Sequence, residues 1–101
     1  MVYIIDCACV IRSFRDKNTE RLFNRIEAPP FRSIADSARS RLERLEAAGS
    51  LNDLAAIRGN RLEALKGDRR GQHSIRINDR WRICFRWLRG AAEDVEIVDY
   101  H

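Results

Sequence analysis

His73-Ser74-Ile75-Arg76-Ile77-Asn78-Asp79-Arg80-Trp81-Arg82-Ile83-Cys84-Phe85-Arg86-Trp87 is the stretch that decides the fold. Its side chains change character at every second residue, which is the period of a strand and not of a helix. Residues 73–77 read as one strand and Asn78-Asp79 as a turn. On the returning strand Trp81, Ile83, Phe85 and Trp87 face a core, while Arg80, Arg82 and Arg86, with Cys84 among them, point to the other side. Three arginines at i, i+2 and i+6 form a cationic row with steps of roughly 7 Å between alternate residues. Charge on a solvent-facing strand also serves solubility. Here, however, Arg61, Lys66, Arg69 and Arg70 crowd the loop just before the strand, and solubility does not require such clustering.

Outward from this hairpin, the last strand is expected over 95–100 after a turn at Gly90. On the N-terminal side, Gly59, Gly67, Asp68 and Gly71 mark a basic loop around Leu62 and Leu65. Before it the period is helical. Ile34, Ala38, Leu42, Leu45 and Ala48 share one face, with Ser33 and Asp36 spaced as a capping box and Gly49 placed as a left-handed C-cap. Ser50 and Asp53 begin one further turn. A shorter helix, capped within 16–18, presents Leu22, Phe23 and Ile26 and stops at Pro29-Pro30. Residues 1–15 read as a strand, the first ten being a possible extension. The expected architecture is α+β: a compact domain over 1–101 in which an N-terminal strand and two helices pack on a mostly antiparallel sheet, leaving the arginine face open.

Composition narrows the function. The 101 residues are 45% hydrophobic and 34% charged, enough for one core and too few for a multidomain enzyme. No apolar run reaches the ~20 residues of a membrane span, and the start lacks the pattern of a secretory signal, so a cytoplasmic protein without membrane attachment is expected. Cys7, Cys9 and Cys84 are odd in number and have no histidine pair to complete a zinc set. Disulfides, metal and cofactors are therefore not expected. Net charge is +4, but 58–89 carries 10 basic and 3 acidic residues, whereas 90–101 carries 4 acidic and none basic. Seventeen of the 19 cations are arginine, whose planar fork grips phosphate in a bidentate way. A polyanion, nucleic acid before membrane, is the partner this pattern favours.

Two further features bear on chemistry. Asp99-Tyr100-His101 groups a carboxylate, a phenol and an imidazole that titrates near neutrality, with Asp99 and His101 expected on one face and Tyr100 on the other. A terminal histidine by itself is ordinarily without function; beside Asp99, Tyr100 and a basic sheet it has the makings of acid–base equipment. Cys84 reads as a small buried residue in preference to a reactive thiol, and His73 as a packing residue.

Four segments together carry a resemblance: Ile11-Arg12-Ser13-Phe14; Asn60-Arg61-Leu62-Glu63-Ala64-Leu65-Lys66-Gly67-Asp68; the hairpin from Ser74 to Phe85; and Val98-Asp99-Tyr100-His101. In this order they are similar to the HigB toxins of bacterial toxin–antitoxin modules, within the RelE/ParE superfamily. The resemblance spans 11–101 and implies a RelE-like fold, entry into the ribosomal A site, cleavage of messenger RNA there, and silencing by a helix-turn-helix HigA antitoxin that alone contacts promoter DNA. It implies catalytic roles for Lys66, Arg82, Asp99, Tyr100 and His101. Arg61, Arg69, Arg70, Arg76, Arg80 and Arg86 are the RNA-binding candidates from the basic loop and strand. The chain departs from one family member's pattern at Glu63, where that member has histidine, and at Asn78, where it has arginine; Arg76 or Arg80 is the candidate replacement for the missing charge. Two other readings compete: a ParE-like inhibitor of DNA gyrase, which needs no proton-transfer residues, and a basic RNA-binding or interaction domain that only docks.

Overall fold

A computed structural model of the chain describes residues 10–99. Four antiparallel strands lie in chain order, β1 (Glu63–Ala64), β2 (Gln72–Arg76), β3 (Trp81–Leu88) and β4 (Ala91–Asp99), and three α-helices precede them, α1 (Lys17–Phe23), α2 (Ala35–Ala47) and α3 (Leu51–Ala55). The α+β architecture is as expected, with corrections in its details.

The hairpin that decides the fold pairs Ile75 with Ile83 and His73 with Phe85 on the helix-covered side, and Ser74 with Cys84 and Arg76 with Arg82 on the other. Ile75, Ile83 and Phe85 are wholly buried, and Trp81 and Trp87 pack partly buried against the same core. The turn works because Asn78 Oδ1 accepts from the backbone N–H of both Arg80 and Trp81 at 2.9 Å, a side-chain substitute for backbone pairing. At the next turn Arg89 and Gly90 both have positive φ (52° and 75°), the conformation a two-residue hairpin of this twist requires. β4 begins at Ala91, four residues before the expected start, and contains one extra residue opposite Phe85, where Asp94 bulges at φ 53°.

The N-terminal strand is reduced to two isolated parallel bridges, Ile11 with Ala92 and Phe14 with Val95; residues 1–9 lie outside the described chain. Strict alternation fails there because the bulged edge of β4 takes both Ile11 and Phe14 toward the core. The edge is then sealed from α1: the buried Thr19 hydroxyl accepts from Ile97 N–H at 3.1 Å and donates to Asp16 Oδ1 at 2.6 Å. Asp16 also caps α1 by accepting from Thr19 N–H, a contribution of about 1 kcal/mol.

The helix ends differ from expectation. α1 stops before the proline pair, in a Schellman arrangement with Arg25 at φ 63°, Arg25 N–H bonding to Leu22 O and Ile26 N–H to Arg21 O, which leaves Ile26 exposed instead of in the apolar stripe. Pro29–Ile34 is a 3-10 turn running directly into α2, so Ser33 and Asp36 form no capping box. Nor does Gly49 act as a left-handed cap: α2 ends through an extended Ala48, and Gly49 N–H donates to Asp53 Oδ2. The apolar face of α2 is as predicted, with Ala38, Leu42 and Leu45 buried completely against the sheet. Ser50 caps α3 by accepting from Asp53 N–H, again as predicted.

A candidate RNA-binding face

With the helices on one side, the open face of the sheet carries Gln72, Ser74 and Arg76 from β2 and Arg82, Cys84 and Arg86 from β3. Its centre is Arg82. The Arg82 Nε donates to Ser74 Oγ at 2.7 Å, Nη2 donates to the backbone carbonyl of Arg61 at 2.8 Å, and the Glu63 carboxylate lies 3.6 Å away. The guanidinium is thereby held in one orientation, with its side chain 13% exposed. Arg61 contributes mainly its backbone, which adopts φ 44° at the end of a 3-10 turn (Arg58–Asn60) and so turns its carbonyl to Arg82. Glu63 and Ser74 face each other in the β1–β2 register. The sequence did not mark Ser74 or Glu63 as partners of Arg82, since β1 is two residues long and has no period of its own.

The other candidates are distributed along this face. Arg69 bridges Gln72 Oε1 (3.0 Å) and Glu96 Oε1 (3.1 Å). Arg86 lies 3.5 Å from Asp94 and close over Gly71, where a Cβ would meet its Nη1 at 3.2 Å. Gly71 has φ 94°, a backbone conformation that favours glycine. Lys66 is exposed in the loop leaving β1, its carbonyl accepting from Arg69 N–H, and Arg70 is exposed beside it. Cys84 is completely buried in the midst of the arginines, and that burial pushes its thiol pKa up despite Arg69 and Arg82. It is a packing residue, as expected.

Arg80 requires a correction. It does not project beside Arg82 and Arg86; it precedes β3 and turns to Asp99, donating to both carboxylate oxygens at 2.8–3.0 Å, with its guanidinium carbon 5.6 Å from the Trp81 ring centroid. Asp99 raises the Arg80 pKa further, first through the hydrogen bond. Arg76 is likewise tied to Asp79, so each candidate replacement cation is already engaged with a carboxylate. Asp99 pairs in register with Trp81 and therefore leaves the sheet on the side opposite Arg82, one residue past the Arg82–Val98 pair. Tyr100 and His101 lie outside the described residues. Among the described residues no group of three His, Cys, Asp or Glu side chains is placed to hold a metal ion, and no helix is long and apolar enough to cross a membrane.

These observations define a class: a small α+β protein with helices on one side of an antiparallel sheet and a fixed arginine at the centre of a basic face on the other. Residues 12–101 match the family described as RelE-like toxin of type II toxin-antitoxin system HigB, and the chain belongs to that family. It is 42% identical over 60 residues to Toxin HigB-1 of Vibrio cholerae serotype O1, a match covering 59% of this chain and 63% of that protein. It is 32% identical over 94 residues to Endoribonuclease HigB of Proteus vulgaris, covering 91% of this chain and the full length of that protein. The resemblance read from the sequence is thus borne out, and the ParE-like and docking-only readings have no comparable support.

Proposed function

We propose that this toxin is an endoribonuclease that inhibits translation by cutting messenger RNA in the ribosomal A site, without metal or cofactor, in the cytoplasm. The observation that carries the reading is the immobilised Arg82 on a basic face; Asp99, the last residue of the neighbouring strand, is followed in the sequence by Tyr100 and His101. Cleavage of RNA by its own 2′-hydroxyl forms an O2′–P bond and breaks the P–O5′ bond. A base takes the 2′ proton, an acid gives one to the departing 5′ oxygen, and cations stabilise the crowded phosphorane. Arg82 and Lys66 are the cations in this scheme. His101 moves protons, Asp99 orients or polarises it, and Tyr100 stacks on a base or positions the phosphate. Arg61, Arg69, Arg70, Arg76 and Arg86 guide the RNA strand, and Arg80 acts indirectly by fixing Asp99.

Its partners in this reading are the ribosome, messenger RNA and a HigA-like helix-turn-helix antitoxin through which the pair contacts promoter DNA. Primer extension on a defined message translated in the presence of purified toxin tests the proposal. Codon-phased cuts that vanish with Arg82→Ala are expected. Absence of cuts from the wild-type toxin, with DNA gyrase poisoned in a parallel cleavage assay, would replace it with the ParE-like reading.

A further inference from the structure

Arg82 belongs to β3, but its guanidinium does not stay over that strand. It reaches across β2, where Nε donates to Ser74 Oγ at 2.7 Å, to the turn before β1, where Nη2 donates to the Arg61 carbonyl at 2.8 Å. A phosphate held by this head group therefore sits toward the β1 edge of the sheet. β4 is the opposite edge, three strand spacings or roughly 14 Å from β1. Asp99, at the end of β4, turns to the other face, where Arg80 holds both its oxygens. A proton acceptor beside the phosphate is thus to be sought on the β1 side.

Glu63 stands there. It lies opposite Ser74 in the β1–β2 register, so its side chain leaves the sheet on the open face. Its Oε1 is 3.6 Å from Arg82 Nη2, and its side chain is 60% exposed, against 13% for Arg82. That separation is longer than the ~2.7–2.9 Å of a charge-assisted hydrogen bond, so the carboxylate keeps its lone pairs for a ligand beside Arg82. Glu96 makes the contrast. It lies in the same row across the sheet, through Ser74 and Cys84, but accepts from Arg69 at 3.1 Å and is only 21% exposed. Of these two carboxylates on the open face, Glu63 is the one that solvent and RNA can reach.

We propose that Glu63 is the general base of the cleavage. This rests on the endoribonuclease reading above and deepens it by dividing the two proton transfers between two groups. Glu63 takes the proton of the 2′-hydroxyl as the O2′–P bond forms, Arg82 stabilises the phosphorane oxygens, and His101 gives a proton to the 5′ oxygen as the P–O5′ bond breaks. The products are a 2′,3′-cyclic phosphate and a 5′-hydroxyl. Glu63 then passes its proton to water and His101 regains one, so the reaction balances without a further reactant. An ionised carboxylate accepts a proton and has none to give, which assigns Glu63 the part of base and not of acid.

The test is the single-turnover rate on ribosomes programmed with a defined message, measured as a function of pH for wild type, Glu63→Gln and Glu63→Asp. Glutamine keeps the shape of the side chain and cannot take the proton. Glu63→Gln should cut about 10²–10³-fold more slowly, and the fall in wild-type rate toward acid pH, which a base that must be deprotonated imposes, should be absent from its profile. Glu63→Asp should keep that acid limb and a rate between the two. Binding of a message blocked by a 2′-O-methyl group at the cut site should stay within about twofold of wild type in both variants, which separates loss of the base from loss of binding or folding. A Glu63→Gln protein that cuts at the wild-type rate would overturn the proposal. So would a slower variant whose acid limb is unchanged, since Glu63 would then serve only to position Arg82. The underlying reading is decided separately: if wild type cuts, Arg82→Ala does not and Glu63→Gln cuts normally, only the assignment of the base fails, whereas absence of cuts by wild type removes both.

Discussion

Arg82 illustrates how the surroundings of a single residue fix its orientation. A guanidinium on an exposed strand ordinarily samples many rotamers; here Ser74 Oγ, the Arg61 carbonyl and the nearby Glu63 carboxylate fix its orientation. Ser74 is in this account a positioning residue. Ser74→Ala should lower the cleavage rate about tenfold while leaving KM for the programmed ribosome nearly unchanged, because the charge persists and only its orientation loosens. A steady-state titration measures this, and Ser74→Thr, which retains the hydroxyl, should restore most of the rate. Cys84 gives a prediction of a different kind. Its thiol pKa is raised above the ordinary value of 9.0 by burial, so above that pH the unfolded chain loses the proton while the folded one keeps it. Stability is thus fully present below pH 9 and declines as the pH rises through the alkaline range. Urea melts at pH 8 and pH 10 should show a smaller loss for Cys84→Ala than for wild type.

At the scale of elements, the alternation from Ser74 to Trp87 reveals the hairpin because one face is apolar and the other carries the arginines and polar side chains, which is the condition under which a period of two is informative. The apolar face of α2 is legible for the same reason. Helix ends are less so. Arg25 at φ 63° closes α1 with backbone bonds that any residue tolerating the left-handed region can supply, and the continuous 3-10 to α transition at Ile34 and Ala35 has no sequence marker comparable to the Ser50 cap. Apart from Ser74 on β2, the partners of Arg82 lie on β1 and the preceding turn, whose pairing depends on tertiary contact with β2. Arg80 departs from the expected row because alternating arginines define faces only inside a strand, and Arg80 stands just before one. The sealing of the β4 edge is another contact invisible to periodicity. Thr19→Val, which keeps the shape and removes the hydroxyl, leaves Ile97 N–H without its partner and should cost about 1–3 kcal/mol in chemical denaturation. The loss should appear as faster unfolding with little change in cleavage at permissive temperature.

At the scale of the whole molecule, the apolar core and the row of arginines lie on opposite sides of the sheet. Core residues from the helices and from Ile75, Ile83, Phe85 and Ile97 occupy one side, while the cations and their polar supports occupy the other. Substitutions on the open face should therefore impair activity without unfolding the protein. The C-terminal residues allow a separate test: deleting His101 should strongly reduce message cleavage with the melting temperature essentially unchanged, whereas a structural role would lower both and an idle residue neither. The central claim, that the face built around Arg82 performs the cleavage, is tested most directly by the single-turnover rate on ribosomes programmed with a defined message, comparing wild type with Arg82→Ala at matched thermal stability. Loss of a pre-positioned cation should slow cleavage by about 10²–10³-fold, by analogy with removal of one oxyanion donor. A folded Arg82→Ala protein that cuts the message at the wild-type rate would contradict the account.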